Sequence, residues 1–259
     1  MQNELKTALI QTDLVWENPT KNRENLANKI YSISKPVDLI VLPEMFTSGF
    51  TMHPEKVAET MNHKTIETLK SLAKEKDTAI AGSLVISENK TYYNRFVFIH
   101  PNGTIDTYDK RHTFTLAGEH KAYTAGTLKT IINYRGWKIC PLICYDLRFP
   151  VWARNTEDYD LLLYVANWPK PRINAWDALL KARAIENMSY CIGVNRVGID
   201  ANNHEYPGHS AVYDVLGNQI LDFQPNQEAI GIIHLDKTHI ETYRIKLNFL
   251  NDRDIFSIV

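Results

Sequence analysis

Four polar residues stand where expected strands of this chain stop. Glu44 follows Leu39-Ile-Val-Leu-Pro43, Lys110 closes the run from Thr104, Cys144 closes Trp137 to Ile143, and Asn167 closes Leu161 to Ala166. Short apolar runs of this kind read as buried strands, and α/β folds present side chains to a cleft at strand ends. A carboxylate, an ammonium and a thiol meeting in such a cleft would make a nucleophilic site. The thiolate is the attacking species, and a free cysteine has a pKa of about 8.5. A nearby lysine is expected to lower that value, and a carboxylate can take the proton outright. Attack on an amide carbon builds negative charge on oxygen, for which the Lys110 ammonium and the backbone N–H just past Cys144 are candidate donors. The carboxylic acid can then protonate the departing ammonia and next activate water against the thioester.

Each residue also has a plainer reading. Cys144 could be a small buried hydrophobe, Glu44 a cap and Lys110 a solvated surface cation. Only their joint placement at strand ends favours chemistry. Nine histidines, among them His112, His120 and His209, leave a Cys–His pairing open. No spacing singles one out, and the C-G-[SA]-C-[WY] signature of papain-like enzymes is absent. Cys140 and Cys144 flank Pro141 and do not fit the usual zinc hairpin, so no metal is expected.

The elements that would position these groups alternate in type. Strands are expected over Lys6 to Leu14, Asp38 to Pro43, Thr78 to Ser87, Tyr92 to His100, Thr104 to Lys110, Thr127 to Tyr134, Trp137 to Cys144, Asp160 to Asn167, Tyr190 to Val197 and Ala229 to Leu235. Pro101-Asn-Gly103 reads as a hairpin turn, and Ser210 to Leu221 as a hairpin around Leu216-Gly-Asn218. Pro141 suggests an edge or bulge in its strand. Helices are expected from the Asn18-Pro19 start to about Ser34, around Ile66 to Ala73, and along Ile173, Trp176, Leu180, Ala184 and Met188. Helix pairs flanking mixed strands imply a layered α/β sandwich, and residues 1–259 show no linker or repeat, so one domain is expected.

Composition narrows the class of function. The 29 basic and 30 acidic residues leave a net charge of −1 without blocks, which argues against a nucleic-acid partner. No apolar run is long enough to span a membrane and no signal peptide is evident. Three cysteines do not suggest a disulfide framework, so a reducing cytoplasm is the expected setting.

Three segments resemble the signatures of the nitrilase superfamily. They are Leu42-Pro-Glu44-Met-Phe46, Tyr108-Asp-Lys110-Arg-His-Thr-Phe114 and Ile143-Cys144-Tyr-Asp-Leu-Arg-Phe-Pro150, in that order. The resemblance extends through Ala166-Asn-Trp-Pro169, Ala182-Arg-Ala-Ile-Glu-Asn187 and Gly208-His-Ser210. It implies a four-layer αββα sandwich that usually forms a homodimer or a higher homo-oligomer, with Glu44, Lys110 and Cys144 as a catalytic triad and no cofactor. It also implies a second glutamate, Glu119 of Gly118-Glu119-His120, in a positioning or proton-handling role.

Tyr145-Asp146 replaces the Trp-Glu common in true nitrilases. The chain has no room for an ATP module and no membrane spans, as the synthetase and acyltransferase branches would require. The segments look most like those of bacterial omega-amidases, which hydrolyse the distal amide of 2-oxoglutaramate and 2-oxosuccinamate. Another carboxylated amide or carbamoyl compound, or a silent binding protein on this fold, are the alternatives.

A 2-oxoacid substrate needs donors for its carboxylate, and Arg148 is the candidate clamp because a guanidinium grips a carboxylate bidentately. Arg148 could instead pair with Asp146 or a helix carboxylate. Trp168 is placed either as a pocket wall or as core. The backbone N–H of Tyr145 completes the expected substrate-binding set.

Overall fold

The computed structural model describes residues 2–258, and these build two six-stranded sheets packed face to face between helices. In the first sheet the order is β14 (Ala229–Asp236), β1 (Glu4–Gln11), β2 (Leu39–Val41), β3 (Ala79–Glu88), β4 (Thr91–Ile99) and β5 (Ile105–Asp109). In the second it is β13 (Gln219–Leu221), β12 (Ala211–Tyr213), β9 (Tyr190–Asn195), β8 (Leu161–Ala166), β7 (Trp137–Ile143) and β6 (Ile132–Tyr134). β10 (Val197–Ile199) and β11 (Glu205–Pro207) form a separate small hairpin. Each large sheet has three adjacent parallel strands, β1-β2-β3 and β7-β8-β9, and each continues into an antiparallel pair, β4-β5 and β12-β13. The two halves of the chain therefore repeat one connection pattern.

Alternation along the first sheet explains the layers. Leu5, Leu9, Leu39, Val41, Phe96 and Phe98 join the core shared with the second sheet, while Ala8, Ile10, Ile40, Ile80, Val97 and Ile99 face the other way. This is the period of two expected of strands buried on both faces. The outward face is covered by α1 (Pro19–Ser32) through Leu26 and Ile30, and by α3 (Lys64–Lys76) through Ile66, Leu69, Leu72 and Ala73. Asn18 caps α1 through its side chain, with Pro19 in the first turn as expected. Short helices α2 (Pro54–Val57), α4 (Glu119–Ala122) and α5 (Pro150–Ala153) lie in the loops.

The second sheet is covered by α6 (Ile173–Asn187), which buries Trp176, Leu180 and Ala184. α6 lies close because β9 has no side chain at Gly193. A Cβ there would come within 2.4 Å of Leu180 Cδ1 and 2.7 Å of Trp176 Cζ2. Gly193→Ala is accordingly expected to destabilise the protein by about 1–3 kcal/mol through overpacking, read as a lower urea midpoint with unchanged slope. A midpoint equal to wild type would show that α6 can move away freely.

The architecture is the expected four-layer αββα sandwich, with several departures in detail. Only Ile132–Tyr134 of the expected strand from Thr127 is extended, because that is all that pairs with β7. β7 ends at Ile143, so Cys144 has left the strand. β6 pairs β7 only as far as Ile139, leaving Pro141 paired on the β8 side alone, which is the local edge its missing N–H requires. The charged segment after β14 is a helix, α7 (Lys237–Leu247). Its start is capped by Asp236, and Ile240 is buried against the second sheet. Among the described residues no helix is long and apolar enough to cross a membrane.

Candidate active site

The polar residues that end the strands converge. Glu44 lies past the carboxyl end of β2, Lys110 past β5, Cys144 past β7 and Asn167 past β8. The first pair belongs to one sheet and the second pair to the other, and the sandwich brings them face to face.

Glu44 is fully buried. Its Oε1 accepts from Lys110 Nζ at 2.9 Å and from Asn94 Nδ2 at 2.8 Å, and its Oε2 accepts from the Asn167 backbone N–H at 2.8 Å. Asn167 Nδ2 donates to the Glu44 carbonyl at 2.7 Å, so the end of β8 fixes both the backbone and the side chain of Glu44. The turn that carries Glu44 is pinned in turn by Ser83, whose Oγ accepts from Met45 N at 3.0 Å.

Lys110 Nζ also donates to both oxygens of Glu119, at 3.0 and 3.1 Å, and Asn94 Nδ2 reaches Glu119 Oε1 at 3.3 Å. Glu119 starts α4 immediately after Gly118. The glycine sits at φ +79°, the left-handed conformation that turns the carboxylate inward. Glu44, Lys110 and Glu119 are each 1% exposed or less.

Cys144 is half-buried and opens the 3-10 turn Cys144–Arg148 with φ +45°. Left-handed backbone at a non-glycine residue costs about 1–2 kcal/mol. Here it turns the chain sharply out of the strand and leaves the Tyr145 N–H near the start of the turn, where amides have no intrahelical partner.

The turn is held by Asp146, a buried carboxylate that accepts from Ile143 N, Tyr108 Oη, and both the backbone N–H and Nδ1 of His112, at 2.8–3.0 Å. Asp146→Ala would strand several buried donors. At about 1–3 kcal/mol for a buried group left unsatisfied, a loss of about 3 kcal/mol is expected from thermal unfolding, with activity falling as the Cys144 turn loosens.

The electrostatics correct one expectation. Two carboxylates surround one ammonium, so Lys110 does not leave the thiol in a positive field. Burial raises the Cys144 pKa well above the ordinary thiol value, Glu44 and Glu119 raise it further, and Lys110 opposes them without prevailing. A thiol that rests protonated needs a base at the moment of attack, and Glu44 is the carboxylate that acts most strongly on it. Burial alone would pull the Lys110 ammonium down, but Glu119 and Glu44 reverse this and hold it charged. Burial likewise raises Glu119, with Lys110 opposing and Glu44 reinforcing.

Cys144 and Asn167 form part of the wall of a cavity of about 610 Å³, as do Tyr145, Arg148 and Trp168. Glu44, Lys110 and Glu119 act on the charge of the sulfur from outside the cavity lining. The loop from Phe46 to His53 supplies wall as well: Phe50 lies 5.2 Å under Lys110 Nζ, and Thr51 is held by Glu17 and Tyr123. The Arg148 guanidinium lies 4.9 Å over the Trp168 ring and does not pair with Asp146, whose oxygens are occupied. Trp168 is both core and wall, since it packs 5.5 Å from Trp176 and also lines the cavity.

Sequence reasoning missed Asn94, which bridges Glu44 and Glu119. Its only signal is a polar residue at a buried position inside an apolar strand. It also missed Arg172, on the cavity wall beside Phe114 at 5.1 Å.

Comparison with known proteins places this geometry. A family model described as carbon-nitrogen hydrolase matches residues 6–245. Omega-amidase YafV of Yersinia enterocolitica is 44% identical over 98% of this chain and 99% of its own length. 2-Oxoglutaramate amidase of Bacillus subtilis is 34% identical over 82% and 84%. The crystal structure of a CN-hydrolase superfamily protein from Xanthomonas campestris, which carries an arsenic adduct in its active site, superposes with a TM-score of 0.97 at 37% identity over the full length of both chains. This chain belongs to the carbon-nitrogen hydrolase family.

Proposed function

We propose that the protein is an omega-amidase that hydrolyses the terminal amide of 2-oxoglutaramate or 2-oxosuccinamate to the 2-oxoacid and ammonia. The observation that carries this reading is the buried Glu44–Lys110–Glu119 cluster whose charges act on a cavity-lining thiol, in a cavity that Arg148 also lines. Kinship to omega-amidase YafV supports the choice of amide.

Glu44 takes the thiol proton as Cys144 attacks the amide carbon. The S–C bond forms and the carbonyl electrons move to oxygen. Lys110 has three N–H bonds. A bifurcated contact to the two Glu119 oxygens frees one of them for the oxyanion, beside the Tyr145 N–H. When the oxyanion collapses, the C–N bond breaks and the Glu44 proton leaves with ammonia. Water, deprotonated by Glu44, then attacks the thioester, and the sulfur departs and regains its proton. Glu119 holds Lys110 in place rather than touching substrate. Arg148 grips the remote carboxylate while Trp168 walls the cavity.

We further place residues 1–259 in one catalytic domain, acting without a cofactor in the cytoplasm as a homodimer. Light scattering that gave the mass of one chain would remove the dimer. The activity is tested by ammonia release from a panel of 2-oxoacid amides beside succinamate, glutaramate and carbamoyl amino acids. Preference for 2-oxoglutaramate or 2-oxosuccinamate is expected. Turnover confined to another carboxylated amide would replace the omega-amidase reading with the wider one.

A further inference from the structure

The cavity wall carries two cations that no anion among the described residues neutralises. Its acids are already engaged. Glu17 accepts from Thr51 at 2.6 Å and meets Lys56 at 3.5 Å. Asp200 accepts from Tyr206 Oη at 2.9 Å and from the backbone N–H groups of Asn202 and His204 at 2.8 and 3.0 Å. Arg148 and Arg172 have no hydrogen-bonded or ion-paired side-chain partner among the described residues, and both line the cavity.

Each guanidinium instead lies against an aromatic face, Arg148 on Trp168 at 4.9 Å and Arg172 on Phe114 at 5.1 Å. Stacking fixes the plane of the fork and leaves its N–H edge free for an anion. Trp168 links the two, because its Nε1 donates to the Arg172 carbonyl at 2.8 Å while its ring supports Arg148. The Arg172 backbone is also tied to Pro169 O at 3.0 Å. The second cation is therefore held on a short, anchored turn rather than on a free loop.

We propose that Arg172 is a second specificity-determining guanidinium, which joins Arg148 in binding the remote carboxylate of the substrate and its adjacent acceptor oxygen. This deepens the proposed function and rests on that reading for the reacting end of the ligand. One carboxylate offers two oxygens and about four lone-pair sites, enough for two forks. A neutral amide of the same length would leave both guanidiniums facing water, so the cavity selects against it.

The test is calorimetry on the full-length Cys144→Ala protein, titrated with 2-oxoglutaramate, glutaramate, succinamate and neutral butyramide. Arg172→Ala in that background is expected to weaken the carboxylated ligands by about 10- to 100-fold and butyramide by less than about 3-fold, because only the carboxylated ligands lose charge-assisted bonds. Arg172→Lys should recover part of the loss, since a point charge without the fork keeps attraction but not bidentate geometry. In the active enzyme the same substitution should raise KM more than it lowers kcat. The proposal is overturned if carboxylated ligands bind equally well without Arg172, if butyramide weakens in step with them, or if no carboxylated amide binds at all. If glutaramate or succinamate binds in an Arg172-dependent way while 2-oxoglutaramate is neither bound nor turned over, the omega-amidase reading falls and the role of Arg172 stands.

Discussion

Cys144→Ala is expected to lower kcat/KM for ammonia release by at least about 10⁴-fold while leaving the unfolding temperature unchanged. The loss is large because the remaining groups have no covalent route. Glu44 could still activate a water, but the thioester intermediate would be gone and with it the division of amide cleavage into two easier steps. The fold should survive because the sulfur borders a cavity rather than filling core, and alanine carries the same Cβ through the same left-handed backbone. Cys144→Ser should be nearly as inactive, since a hydroxyl in the same field of two carboxylates is harder to deprotonate than a thiol. Cys144→Gly should be equally inactive yet more stable than the alanine protein by about 0.5–1 kcal/mol, the left-handed strain removed less the chain entropy glycine adds. Strained backbone at a nucleophile is thereby separated from its chemistry. Turnover within tenfold of wild type for the alanine protein would sink the assignment of Cys144, and equal stability of the glycine protein would sink the strain.

Glu44 and Cys144 were legible because each follows a short apolar run that reads as a buried strand, and Lys110 because it closes the mixed run Thr104 to Asp109, read as a hairpin strand; a polar residue at such a point has to face something. What the runs could not say is which strand ends meet. That depends on how the two sheets stack, and stacking is set by side chains such as Phe98 against Tyr134, which lie in opposite sheets 5.3 Å apart. Glu119 came only from the family resemblance. Its short helix has no periodic pattern, and nothing local distinguishes it from a surface glutamate.

The direction of the Cys144 shift was misjudged for the same reason. A lysine was expected beside the thiol, but the field belongs to three charges gathered from distant positions. Arg172 escaped notice because Lys170-Pro-Arg172 looks like any basic turn until Phe114 and the cavity are seen around it. Helix α7 was hidden by its charges. Ile240 is its only buried side chain, too little to reveal a period.

Lys110→Met is expected to be the most destabilising substitution in the site, by about 3–5 kcal/mol at neutral pH, the usual consequence of breaking a buried pair. Methionine fills a similar length, so the effect is electrical rather than steric. It leaves Glu44 and Glu119 facing one another with no cation between them and with Asn94 as their shared donor. The sign of its pH dependence is fixed by linkage. In the wild type the Lys110 pKa is raised, so its contribution is complete below its ordinary value of 10.5 and is lost only as pH rises through the folded value. Neutral solutions therefore hold all of it.

Glu119 is already raised by burial against the pull of Lys110. Removing that pull raises it further, so the native variant binds a proton that the unfolded chain does not. Stability then falls as pH rises from the ordinary carboxyl range to the new folded value, at up to about 1.4 kcal/mol per pH unit for one proton. Urea midpoints of variant and wild type should thus lie closest near about pH 5 and furthest apart near about pH 8, with activity negligible throughout because no ammonium remains for the oxyanion. Parallel midpoint curves across that interval would mean that Lys110 does not govern the protonation of the two carboxylates, and the charge arrangement drawn for the resting site would have to be abandoned.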